Sequence, residues 1–224
     1  MVTIPRGVDL NAFDPQNVSS ERIARLRQSW GITPEDHRTV LLLPGRLTDW
    51  KGQTTAIRSL GIMDMEERSS IVLVLAGDAQ GRGNYVHELE DLIIECGAGA
   101  SVIMPGHCSD MPAAYLAADI VLAPSKRPEA FGRTATEASA MSKCVIATAH
   151  GGALETVLDG HTGALVTPDD PAALAGAIRA LVQMGSGAWE NMGIAGARFV
   201  RSKFSKAKLQ AATLDVYRDI LREG

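Results

Sequence analysis

Six short apolar runs recur along the chain: TVLLLP (39–44), IVLVLAG (71–77), SVIMPG (101–106), DIVLAPS (119–125), CVIATA (144–149) and GALVTP (163–168). Each run is continuous rather than alternating, which requires burial on both faces; a strand with one wet face would alternate apolar with polar residues. Between most of them lie segments of helical period, at 52–63, 84–96, 111–118, 133–142 and 153–158. Strands buried on both sides and separated by helices build a parallel sheet with helices on each face. The predicted fold class is therefore α/β, a doubly wound, Rossmann-like parallel sheet of about six strands.

Outside this alternation, Ser20 is placed to cap a helix from about Glu21 to Trp30, closed by Gly31. Three further helical segments follow the last strand, at 170–184, 187–201 and about 206–222. The last carries an apolar stripe of Leu209, Ala212, Val216 or Tyr217, and Ile220. The opening TIPRGVDLNAFDP has Pro5, Gly7 and Pro15 but no sustained period, so residues 1–18 read as a connector. The organisation expected is a linker (1–18), a nucleotide-binding sheet domain (19–203) and a terminal helix (204–224).

Composition narrows the function classes. A net charge of −4 and a pI of about 5.7 lack the basic excess of a nucleic-acid binder. Any local basic residues must then serve a local anion. Cys96, Cys108 and Cys144 show no metal-ligand spacing with the five histidines and read as small buried thiols in a reducing compartment. No apolar run is long enough to span a bilayer, and the start MVTIPRGVDLNAF lacks a signal-peptide core. A cytoplasmic location is expected.

Ligands of open α/β sheets lie beyond the carboxyl ends of the strands. In this chain five successive strand ends open into glycine-containing polar loops: GRLTDWKG, GDAQGRG, GHCSDM, SKRPEAFGR and HGGALE. The first carries Gly45, Arg46 and Lys51. Arg46, as a fork, and Lys51, as a point charge, suit a diphosphate. In the fourth, Gly132 lets backbone approach closely, and the amides from Phe131 to Thr134 open a helix whose positive end accepts an anion. Glu129 and Glu137 are too far apart along the chain to share a proton or a metal. Glu137 would repel phosphate and is expected at a neutral hydroxyl pair such as a ribose diol, with Glu129 at hydroxyls of the ligand's other end. Asp78 suits capping of the following helix as well as ligand contact. Gly151-Gly152 suits a tight turn, and His107 and His150 are lone histidines at strand ends.

At these residues the chain resembles the C-terminal, nucleotide-sugar-binding domain of GT-B glycosyltransferases, specifically the large retaining family 4. IPRGVDLNAF resembles the linker into that domain, GRLTDWKG its Gly-Arg-Leu…Lys-Gly loop, PSKRPEAFGRTATEASAM its Glu-x7-Glu signature, and VIATAHGGALETVLDGHTGALVTPDD the stretch after it. The resemblance implies that Arg46 and Lys51 bind the donor diphosphate, Glu129 the donor sugar and Glu137 the ribose. Backbone around Ala130, Phe131, Gly132, Arg133 and Thr134 would hold sugar and phosphate oxygens, and the loop at Gly106 and His107 would meet the base. It also implies catalytic roles for Arg46, Lys51 and Glu129, with no metal and no other cofactor. Ser142 and Cys144 stand where the family has glycine and proline, so altered turn geometry is expected there. A whole enzyme of this type carries an N-terminal acceptor domain, and this chain starts at the linker; its first residue is therefore expected to mark a boundary of the polypeptide, and its last helix to cross to that domain.

The function implied is transfer of a hexose from a nucleoside-diphosphate sugar to an acceptor with retention. The alternative is a nucleotide-binding module without turnover, because the acceptor domain is absent. A nicotinamide oxidoreductase fits poorly, since GDAQGRG departs from Gly-x-Gly-x-x-Gly and follows the second strand. No segment suggests the pyridoxal lysine of a GT-B phosphorylase. The partners expected are a nucleoside-diphosphate sugar and the acceptor domain, with no nucleic acid, no membrane span and, in the whole protein, at most peripheral membrane association.

Overall fold

A computed structural model describes residues 2–223. Strands β1 (Thr39–Pro44), β2 (Ile71–Ala76), β3 (Val102–Gly106), β4 (Ile120–Ala123), β5 (Cys144–Thr148) and β6 (Gly163–Val166) form one sheet in the order β3-β2-β1-β4-β5-β6. Every pairing is parallel. The helices are α1 (Ser20–Ser29), α2 (Gln53–Ile62), α3 (Met65–Ser69), α4 (Gly83–Glu95), α5 (Met111–Ala117), α6 (Arg133–Ala140), α7 (Ala153–Thr156), α8 (Pro171–Met184), α9 (Ser186–Lys203) and α10 (Lys206–Glu223). No helix among the described residues is long and apolar enough to cross a membrane.

The continuous apolar runs are explained by two cores, one on each side of the sheet. Leu41, Leu43, Leu73 and Leu75 pack with Ile57 and Leu60 of α2, Leu89 of α4, and Leu174 and Ile178 of α8. Their chain neighbours Val40, Leu42, Val72 and Val74 point the other way, toward Trp30, Ile32, Tyr115 of α5, and Ala135 and Ala138 of α6. Residues one apart in a strand alternate faces, so a run with two buried faces has no polar position to offer. Full burial of each such side chain is worth roughly 1.5–3 kcal/mol relative to exposure.

Local capping departs from the expectation in three places. The first helix is capped by Ser19, whose hydroxyl accepts from the Arg22 amide, rather than by Ser20. A short helix, α3, was not anticipated; Asp64 and Glu67 form a reciprocal capping box around its first turn. The turn after α6 also keeps a common geometry. Ser142 adopts φ 58°, and the amides of Ser142 and Lys143 bond back to the carbonyls of Ser139 and Ala138. That is a Schellman ending with serine at the left-handed position where glycine usually sits.

The segment read as a connector is tied down. The Val8 amide donates to the Phe204 carbonyl at 2.7 Å, and the Lys206 amide donates to the Val8 carbonyl at 2.9 Å. Val8 is buried in a third cluster with Phe131, Ala140, Val200 and Phe204. Gly7 makes the approach possible, because a Cβ there would sit 2.6 Å from the Lys206 nitrogen. The N-terminal segment is thus a strap across the α9–α10 junction. Beyond that junction α10 is only partly covered: Leu209 and Val216 are half-buried, while Leu214, Tyr217, Ile220 and Leu221 are exposed.

Candidate functional site

In this strand order the chain reverses direction of growth between β1 and β4, and the crevice of such a sheet opens there. The loops after those two strands meet. The Lys126 amide donates to the Trp50 carbonyl at 2.7 Å, and Gly52 presses on the Pro124 carbonyl so closely that a Cβ would lie 2.0 Å from its oxygen. Between the loops lies a cleft of about 450 Å³. It collects Gly45, Arg46, Lys51, Glu129, Ala130, Phe131, Gly132, Arg133, Thr134 and Glu137. These are the sequence-predicted residues of the first and fourth loops. Arg6, Pro44, Trp50, Met111 and Tyr115 complete the lining.

The β1 loop is braced from below. The Gly45 amide bonds the Ala76 carbonyl, the Leu47 amide bonds the Asp78 carbonyl, and buried Gln53 donates to the Arg46 carbonyl at 2.9 Å. The Arg46 side chain is exposed and forms no ion pair among the described residues. Lys51 crosses the cleft floor beside Gly45, with its Nζ 4.6 Å from the Trp50 ring centroid and 2.8 Å from Oε1 of Glu129. Cation–π attraction and the carboxylate together hold the ammonium where a phosphate could reach it.

Glu129 is fixed from behind. Ser125 donates to its Oε1, and the Glu129 carbonyl accepts from the Gly152 amide at 2.7 Å. The Ser125 carbonyl accepts from Thr148 Oγ1 and lies 2.8 Å from His150 Nε2. His150 and the Gly151-Gly152 turn therefore support the loop that carries Glu129. Gly152 is required there, since a Cβ would sit 2.6 Å from Phe131 backbone.

Gly132, at φ 73°, turns the chain into α6, and no side chain caps that helix. Its first amides lack a side-chain cap and stand at the positive end of the helix dipole, an arrangement that suits an anion. One turn on, Glu137 is buried to 9% exposure. Arg133 donates to its Oε1 through Nε at 3.1 Å and through a terminal nitrogen at 2.8 Å, and Tyr115 donates to Oε2 at 3.0 Å. Burial, with the Glu137 carboxylate beside it, holds the Tyr115 hydroxyl far above its ordinary pKa, so it remains a donor.

Asp78, Gly106 and His107 do not line this cleft. They follow β2 and β3, which lie one and two strands away from β1 toward the sheet edge. Asp78 braces the β1 loop through its carbonyl, and its carboxylate accepts from the Gln80 amide at 2.8 Å; it caps its own turn rather than α4, whose N-cap is Arg82. His107 is exposed after a left-handed Gly106. Arg6 and Tyr115 escaped the sequence reading for different reasons. Arg6 reaches the cleft only because the strap is docked, and Tyr115 sits in an apolar helix where an aromatic reads as core.

The sequence of residues 25–198 matches the family described as glycosyl transferases group 1. A D-inositol 3-phosphate glycosyltransferase of Xylanimonas cellulosilytica is 38% identical over 218 residues, which cover 96% of this chain and 50% of that protein. The crystal structure of a glycosyltransferase from Rickettsia africae superimposes with a TM-score of 0.90 at 30% identity, covering 100% of this chain and 58% of the other. Anabaena HepE, crystallised with UDP and glucose, superimposes with a TM-score of 0.85 at 28% identity, covering 96% of this chain and 56% of HepE. The chain thus spans about half the length of the relatives it matches. With a matching stretch that takes in the whole sheet and both loops of the cleft, the chain belongs to the glycosyl transferases group 1 family.

Proposed function

We propose that this chain is the donor-binding, C-terminal domain of a family 4 glycosyltransferase, which transfers a hexose from a nucleoside-diphosphate sugar with retention and without a metal. The observation that carries the reading is one cleft holding an arginine with no ion pair among the described residues, a lysine and an uncapped helix N terminus. Arg46 and the first amides of α6 would take the diphosphate, joined by Lys51. As the glycosidic bond breaks, charge grows on the diphosphate while the sugar becomes oxocarbenium-like. Cations and amides fixed beforehand then stabilise the transition state more than the ground state. Glu129, held by Ser125 and Lys51, would orient the sugar hydroxyls, and Glu137 would hold the ribose.

Support comes also from the relatives: UDP occupies HepE, and the Xylanimonas protein is a glycosyltransferase. The other half of such a protein would supply the acceptor site and would cover the exposed face of α10, so the chain by itself would bind nucleotide without turnover. A cytoplasmic setting agrees with three free thiols. Calorimetric titration of UDP, GDP and ADP in excess EDTA tests the reading. Saturable binding of at least one is expected; no heat from any of the three at millimolar concentration would contradict it.

A further inference from the structure

Protein donors already take most of the acceptor capacity of the Glu137 carboxylate. An ionised carboxylate offers about four acceptor sites, two on each oxygen. The two Arg133 bonds occupy both sites on Oε1, and the Tyr115 hydroxyl occupies one on Oε2. One acceptor site is left, on Oε2. Arg133 stands at the first helical position of α6 and Glu137 four residues later, a spacing that lets the two side chains meet on one helix face, with the Arg133 side chain 74% exposed and that of Glu137 11%. Tyr115 is locked more firmly: it is 1% exposed and in contact with Phe13. Its hydroxyl has no other partner among the described residues, so release would leave it unsatisfied.

We propose that Arg133 and Tyr115 together restrict Glu137 to a single ribose hydroxyl, making Arg133 a specificity-determining residue of the donor site. This rests on the donor reading above. One hydroxyl of the diol donates to Oε2 in a charge-assisted bond. The other finds only a neutral acceptor, such as the Tyr115 oxygen, or solvent. Arg133 has a second effect: it neutralises a carboxylate one helical turn from the phosphate subsite, so that the diphosphate is not repelled. The same guanidinium thus lets an acid and an anion share one cleft.

The test compares the dissociation constants of UDP, 2′-deoxy-UDP and 3′-deoxy-UDP for the chain and for Arg133→Ala. In the unaltered chain one deoxy analogue should bind about tenfold more weakly than UDP, and the other within about threefold of it. In Arg133→Ala both sites on Oε1 are open, and the second analogue should now also fall about tenfold behind UDP. Equal loss for both analogues in the unaltered chain would overturn the inference, because it would mean that the diol already displaces Arg133. No loss for either would overturn it too, since Glu137 would then take no hydroxyl. A pattern unchanged by Arg133→Ala would do the same. Failure of UDP, GDP and ADP alike to bind would instead sink the donor reading itself.

Discussion

The Lys51 ammonium and the Glu129 carboxylate are joined at 2.8 Å across the floor of the cleft, and Ser125 donates to the same carboxylate oxygen. Both side chains are largely shielded, at 14% and 23% exposure, so the pair is less screened by solvent and salt than a surface ion pair. On the proposed donor reading, a diphosphate would compete with Glu129 for Lys51. A donor sugar, by contrast, would need Glu129 in place to accept from its hydroxyls. On that reading, a complete donor would rearrange the Lys51–Glu129 pair at both ends.

Substitution of Glu129 should separate those two effects. Glu129→Gln keeps the shape and the Ser125 contact but releases Lys51. A nucleoside diphosphate should then bind as tightly as before or several-fold tighter, while the nucleotide sugar loses about 1.5–3 kcal/mol. Lys51→Ala should weaken both ligands. Parallel titrations of UDP and UDP-glucose check this, and equal losses of the two in Glu129→Gln would count against the assignment.

Glu137→Ala should weaken ribonucleotides and spare 2′,3′-dideoxy forms. It should also lower stability by about 1–3 kcal/mol, because the Tyr115 hydroxyl is left buried without an acceptor. The double variant with Tyr115→Phe should recover much of that loss without recovering ribose selectivity. Chemical denaturation and nucleotide titration on the same samples read the two consequences independently.

Ser142 holds a left-handed conformation that a side chain disfavours. Ser142→Gly should raise stability by about 0.5–1 kcal/mol, the relief of strain being partly offset by a looser unfolded chain. The turn lies at the far end of α6 from the cleft, so nucleotide affinity should not change. A lower melting temperature would show that the serine makes a stabilising contact.

The exposed side of α10, with Leu214, Tyr217, Ile220 and Leu221, should drive concentration-dependent association of the isolated chain. Sedimentation velocity between about 10 and 500 μM checks this. Ile220→Lys with Leu221→Lys should hold the chain monomeric and leave nucleotide binding untouched. A sharp monomer for the unaltered chain across that range would contradict the expectation.

The sheet was legible because its strands are buried on both faces, and continuous runs such as IVLVLA admit few other readings. The loops with Arg46, Lys51 and Glu129 to Glu137 were legible because glycines and charges cluster at strand ends. Strand order was not. Without it, loops after β2 and β3 looked equal to those after β1 and β4, and Asp78, Gly106 and His107 were grouped with a cleft that they do not line. The strap was hidden for a related reason: Val8 finds its partners at Phe204 and Lys206, nearly two hundred residues away, and nothing local marks that pairing. The box Asp64-Met-Glu-Glu67 was a readable signal for α3 that the short span between two stronger elements obscured.

The central claim is that Arg46, which forms no ion pair among the described residues, binds the donor's diphosphate. It is tested most directly by the dissociation constant of a nucleoside diphosphate in EDTA, for the unaltered chain and for Arg46→Ala, beside that of the free nucleoside. The account predicts a loss of about 1.5–3 kcal/mol for the diphosphate and almost none for the nucleoside. An equal loss for both, or no loss for either, would contradict it.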